Sequence, residues 1–165
     1  MTIKDVIVRS AIKMGFDLYG LNPYLKKGET LVQEPSDWED KKAVSEYFKK
    51  SGKQEKENCG IYFRNNIWWW RGIAGAIQKT CYDLLSEEQA RGLNFNEGVK
   101  YDNLLAIKIA ERLERMLEEN RLDIVCKPIQ EELEGEEWKD HYPYSEDNVE
   151  SFCMFLRESG GFKIC

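Results

Sequence analysis

The chain is poor in the groups that carry most enzyme chemistry near neutral pH. Its 165 residues include one histidine, His141, and a lone histidine with no identifiable nucleophile is more often a hydrogen-bonding residue than a general base. The five cysteines, Cys59, Cys81, Cys126, Cys153 and Cys165, include no Cys-x-x-Cys pair. That odd, scattered set reads as reduced thiols, and no metal site is expected. Gly72-Ile73-Ala74-Gly75-Ala76 lacks the terminal Gly-Lys-Ser/Thr of a phosphate loop. No apolar run approaches the ~20 residues of a membrane span, and Asp5 and Arg9 interrupt the first nine residues where a secretory leader would be apolar. These absences predict a cytoplasmic, non-catalytic protein with no cofactor and no membrane partner.

Charge narrows the partners. A net charge of −6 argues against a direct nucleic-acid partner, because phosphate neutralisation needs a positive surface. The distribution is uneven: Lys41, Lys42, Lys49, Lys50, Lys53 and Lys56 cluster early, whereas Glu131, Glu132, Glu134, Glu136, Glu137 and Asp140 crowd a later stretch. An acidic surface over 131–150 could occupy a basic groove on a partner such as a host protein, or could simply be solvated.

The order of elements follows from periodicity. Residues 3–14 carry Ile3, Val6, Ile7, Ala11 and Met14 at helical spacing. Gly15 to Gly20 alternates apolar and polar residues between glycines, the pattern of a half-buried strand. Ser36 with Glu39 reads as a capping box for a helix over 37–50, with Trp38, Val44, Tyr47 and Phe48 as its apolar stripe and Gly52 as its end. Residues 52–58 are polar and stripeless, the pattern of a flexible loop. A strand over 60–64 leads through the tryptophans into a second helix that stops near Ser86. Helices over 102–119 and from Ser145 to Gly160-Gly161, a short strand over 122–126 and a terminal strand at Phe162 to Cys165 complete the reading. Four main helices with three or four strands, not regularly alternating, predict a single α+β domain over 1–165 with a small sheet.

The densest chemistry lies in Tyr62-Phe63-Arg64-Asn65-Asn66-Ile67-Trp68-Trp69-Trp70-Arg71. If a strand ends and a helix begins here, unpaired N–H groups at the helix start would stand beside Arg64 and Arg71, a setting that suits phosphate or carboxylate. Asn65 and Asn66 could read a ligand edge or cap the helix. Helical spacing assigns Trp69 to the apolar face and turns Trp68 and Trp70 elsewhere, toward a neighbouring element or a ligand. The competing reading is an aromatic core with arginines over its rim. Asp17 and Tyr19 share the face of their strand opposite Leu18 and are additional candidates, as is His141 in its polar aromatic loop.

Three segments, Met14 to Gly20, Tyr62 to Arg71, and Asn148-Val149 through Phe155 to Cys165 with its Ser-Gly-Gly-Phe ending, resemble a group of small uncharacterised bacterial and bacteriophage proteins. The resemblance covers about half of the chain. It implies that residues 1–13 are an extension preceding the shared start. It also implies a phage-encoded, host-directed (anti-defence) setting in the host cytoplasm, and it brings no activity. The expected function is therefore non-catalytic capture of a small anionic or aromatic ligand, such as a nucleotide or nucleotide-derived signal. The acidic-surface inhibitor or adaptor is the alternative, and an enzyme of unknown reaction comes third.

Overall fold

Strand β1 (Gly15–Gly20) buries Phe16 and Leu18 and turns Asp17 and Tyr19 the other way, the period of two that the pleat imposes. The computed structural model describes residues 15–122, 124 and 145–165. The expected N-terminal extension, the stretch 131–144 and His141 lie outside the described residues.

β1 is the centre of a four-stranded antiparallel sheet of order β2-β1-β4-β3, in which β2 is Tyr62–Asn66, β3 is Lys100–Tyr101 and β4 is Phe162–Ile164. Phe16 pairs with Asn65, Leu18 with Phe63 on one side and Ile164 on the other, and Tyr101 with Phe162. One face of the sheet is therefore almost wholly apolar. Two helices pack on it, α2 (Ile67–Thr80) and α5 (Glu146–Glu158), and α4 (Asn103–Glu118) packs against both of them. The rings of Phe63, Phe152, Phe155 and Phe162 meet between sheet and α5 at centroid separations of 5.3–6.2 Å. Such offset and edge-on aromatic pairs contribute beyond their area. The α+β class expected from the sequence is the observed one.

Local chemistry explains most boundaries. Asp102 and Ser145 cap α4 and α5 by accepting from Leu105 N and Asn148 N. Ser86 and Gln89 close a reciprocal capping box on the short α3 (Glu87–Gly92). Gly160 ends α5 with φ +62°, where an added Cβ would overlap the Asn22 carbonyl oxygen, so only glycine fits.

The first helix departs from expectation. α1 spans Lys41–Glu57, capped by Asp40, whose carboxylate accepts from Lys42 N and Ala43 N; Ser36 is not its cap. It runs through Gly52 and the expected 52–58 loop because polar side chains hold it. The Gln54 amide accepts from Val32 N and donates to Thr30 O, and one turn on Asn58 accepts from Lys26 N and donates to Glu29. The two amides thus clamp a neighbouring strap of chain, and no residue of α1 is buried. Its supposed apolar stripe is instead an outer cluster, with Trp38 54% and Phe48 60% exposed and their rings packed with Tyr47.

Two smaller corrections concern strands. β2 begins and ends two residues later than expected and abuts α2 with no intervening loop. The fourth strand is Lys100–Tyr101, not 122–126, where the described residues Leu122 and Ile124 are helical.

Candidate functional site

The junction between β2 and α2 separates the residues that the sequence grouped. Asn66 accepts from Trp69 N at 3.0 Å and so caps α2, one of the two uses expected for an asparagine here. Trp70 is 1% exposed, stacked on Phe16 at 5.6 Å and edge-on to Phe152, with its indole N–H donated to Leu93 O at 2.6 Å. It is the core anchor of α2, and Trp69 is not. Both indoles lie on helical stripes, but only Trp70 meets Phe16 of the sheet. Asn65 faces the same core side, 7% exposed, with no acceptor for its Nδ2 among the described residues. Neither Trp70 nor Asn65 is open to a ligand at the surface. Trp68 stands in the first turn of α2, and Arg71 lies on its exposed side.

Arg64 belongs elsewhere. The alternation that turns Phe63 and Asn65 toward the core turns Tyr62 and Arg64 to the outer face of the sheet, opposite Tyr19 and Asp17 respectively. There Arg64 Nε stands 3.5 Å from Asp17 Oδ1. Its guanidinium lies over Gly15, where a Cβ would come within 3.0 Å of Nε. The missing side chain at Gly15 thus lets the arginine lie flat across β1.

Next to this pair runs a row of four residues, one per strand: Tyr62, Tyr19, Lys163 and Lys100. The tyrosine rings are 5.2 Å apart and tilted by 43°. Lys163 Nζ lies 5.6 Å from the Tyr19 centroid, within reach of a cation–π attraction. The Tyr62 hydroxyl donates to Asp17 Oδ1. Burial, then the hydrogen bond to Asp17 and its charge, hold the Tyr62 phenol well above its ordinary range. Tyr19 is raised as well, by burial first and then by Asp17, with Glu55 and Tyr47 of α1 also in electrostatic reach. Both phenols are neutral donors at physiological pH.

The outer face thus presents two phenols, a guanidinium, two ammonium groups and one carboxylate. Of the residues singled out in the sequence, it brings together Arg64, Asp17 and Tyr19. It adds Tyr62, Lys163 and Lys100, which sequence reasoning missed. The signal was present for two of them: Tyr62 is two residues before Arg64, and Lys163 alternates with Phe162 and Ile164. No cluster of His, Cys, Asp or Glu among the described residues could hold a metal ion, and no described helix is long and apolar enough to cross a membrane. Protein-family models, curated proteins and solved structures were compared with the chain, and none matches.

Proposed function

We propose that this protein is a non-catalytic binder of a small anionic, nucleotide-like ligand, held on the outer face of the sheet and not at the start of α2. The observation that carries the reading is Tyr19. It is 40% exposed at the centre of an open sheet face, flanked on its own row by Lys163 and on the next by Arg64. An aromatic face that is wet costs burial it could have had, and it is the group on which a base stacks. Stacking of one base on such a ring contributes about 1–3 kcal/mol. A base settling on Tyr19 would displace the Lys163 ammonium from the ring toward the ligand's own phosphate. Arg64 offers the planar fork that suits phosphate oxygens. A nucleotide-derived signal is the class that combines both chemistries.

The test is calorimetry with AMP, GMP, UMP and CMP, using adenosine and inorganic phosphate as the two halves of the ligand. At least one nucleotide is expected to bind more tightly than either half. Tyr19→Ala and Arg64→Ala should each weaken it tenfold or more while leaving the circular dichroism spectrum unchanged. Absence of any nucleotide binding, or unaltered affinity in both variants, overturns the reading.

A further inference from the structure

The outer face offers cations at two separated places, and that separation bears on the length of the ligand. Arg64 lies on β2 at one edge of the sheet, and Lys100 lies on β3 at the other. Three inter-strand spacings of ~4.8 Å put the two strands about 14 Å apart. Tyr62 shares β2 with Arg64, Tyr19 stands beside it on β1, and Lys163 on β4 follows next to Lys100. Lys163 and Lys100 are direct cross-strand neighbours of like charge, an arrangement that destabilises a sheet unless an anion sits between them. Among the described residues neither lysine has a carboxylate partner. Glu88 and Glu97 line the groove beside Lys100, but Glu97 is paired with Arg91 at 3.1 Å. Arg64, by contrast, shares Asp17 with the Tyr62 hydroxyl. The lysine pair is therefore the stronger open demand for negative charge on this face.

One phosphate cannot serve both edges. A mononucleotide stacked on Tyr19 reaches Arg64 and Lys163 with its one phosphate but not Lys100 at the far edge, whereas two nucleotides joined by a phosphodiester reach all three and place one base on each tyrosine. Resting on the functional reading above, we infer that the ligand is a phosphodiester-linked pair of nucleotides lying across the strands, with one phosphate at Arg64 and the next at Lys163 and Lys100. The pair is either a free dinucleotide or a two-nucleotide stretch of a single strand. The chain's net charge of −6 opposes long polyanions, yet the strands set three cations against one carboxylate on this face, with Glu55 of α1 and Cys165 also in electrostatic reach of Tyr19. Local charge governs so short a contact.

The experiment titrates wild type, Lys100→Ala and Arg64→Ala with AMP, the 5′-phosphorylated dinucleotide pApA and the hexamer pA6. The dinucleotide is expected to bind at least tenfold more tightly than AMP. Lys100→Ala should weaken the dinucleotide at least tenfold more than it weakens AMP and so erase that gain, while Arg64→Ala weakens both. The dinucleotide's affinity should also fall with salt on a log–log slope of about −1.4, as about two phosphate contacts require. A hexamer no tighter than pApA identifies a free dinucleotide, and a tighter hexamer identifies a strand; both support the proposal. Equal affinities for AMP and pApA, or a dinucleotide gain that survives Lys100→Ala, overturn it and leave the mononucleotide reading standing. Failure of all three probes overturns the dinucleotide proposal for adenine ligands, and failure of GMP, UMP and CMP as well overturns both readings.

Discussion

The two faces of the sheet are made by the same strands and differ in nearly every physical respect. Phe16, Leu18, Phe162 and Ile164 on the inner face are between 0% and 6% exposed, whereas Tyr19, one residue beyond Leu18, is 40% exposed. The inner face has one buried polar side chain among the described residues, Asn65; the outer face has the paired rings of Tyr19 and Tyr62, neither of them buried. The difference separates what holds the fold from what is free to do something else. A change inside should cost stability and leave binding as an indirect casualty. A change outside should do the reverse.

The inner face should break first at Trp70. Trp70→Ala removes a fully buried indole and leaves the Leu93 carbonyl without its donor. Large aromatic truncations in cores cost about 3–5 kcal/mol, so chemical denaturation should show a loss of that size or no cooperative transition at all. The comparison with Tyr19→Ala, also an aromatic truncation, should be the widest in the protein.

Alkaline pH gives the next largest effect. Cys153, 3% exposed on α5, has its thiol pushed up to about 12, by burial first and then by Glu114. A raised thiol pKa means that the folded state keeps a proton that the unfolded chain gives up near pH 9. The stabilisation is then complete below pH 9 and is lost as pH rises from 9 toward 12, at up to about 1.4 kcal/mol per pH unit. Denaturant titrations at pH 8 and pH 11 should differ by about 2 kcal/mol less in Cys153→Ala than in wild type. Identical pH slopes in the two proteins would sink this assignment.

Asn65 is the point where the inner face violates its own rule. A buried amide donor with no partner costs about 1–3 kcal/mol, and leucine repeats asparagine's branched outline of four heavy side-chain atoms. Asn65→Leu should therefore raise stability by about 1 kcal/mol, read as a higher denaturation midpoint at unchanged slope. A loss of stability would show that the amide has a partner that the described residues do not contain.

These residues also mark how far the chain could be read in advance. β1 and β4 were legible because alternation between glycines leaves one phase for the pleat, and α4 and α5 because cap, stripe and stop agree. Trp70 was not, since α2 is apolar on more than one side and both Trp69 and Trp70 fall on helical stripes; only contact with Phe16 and Phe152 decides between them. The end of α1 was hidden because Gln54 and Asn58 look like loop residues until the strap they clamp is in view. Lys100–Tyr101 is too short to show a period. The site was half legible: Asp17, Tyr19 and Arg64 were named, but the sequence tied Arg64 to its neighbours Asn65 and Trp70. In a strand, adjacent residues face apart, so its true companions are the residues across the sheet.

The smallest stability effects belong to the outer face, and they sharpen the comparison most. Arg64→Ala removes a half-exposed side chain whose ion pair with Asp17 is solvent-screened, and such pairs contribute little. Tyr19→Ala removes a ring that is already wet. Each should change unfolding free energy by about 0.5 kcal/mol or less. Tyr62 differs from both, since its hydroxyl holds Asp17. Tyr62→Phe should cost about 1 kcal/mol, the ordinary size of one hydrogen bond, and should free Asp17 to pair fully with Arg64. That would withdraw the guanidinium from any anion. Tyr62→Phe should therefore weaken nucleotide binding although the lost hydroxyl touches no ligand, and Asp17→Asn in the same background should restore it. Calorimetry on the single and double variants measures the coupling. Additive effects would mean that Asp17 does not govern Arg64, and that the outer face is a set of independent side chains and not one site.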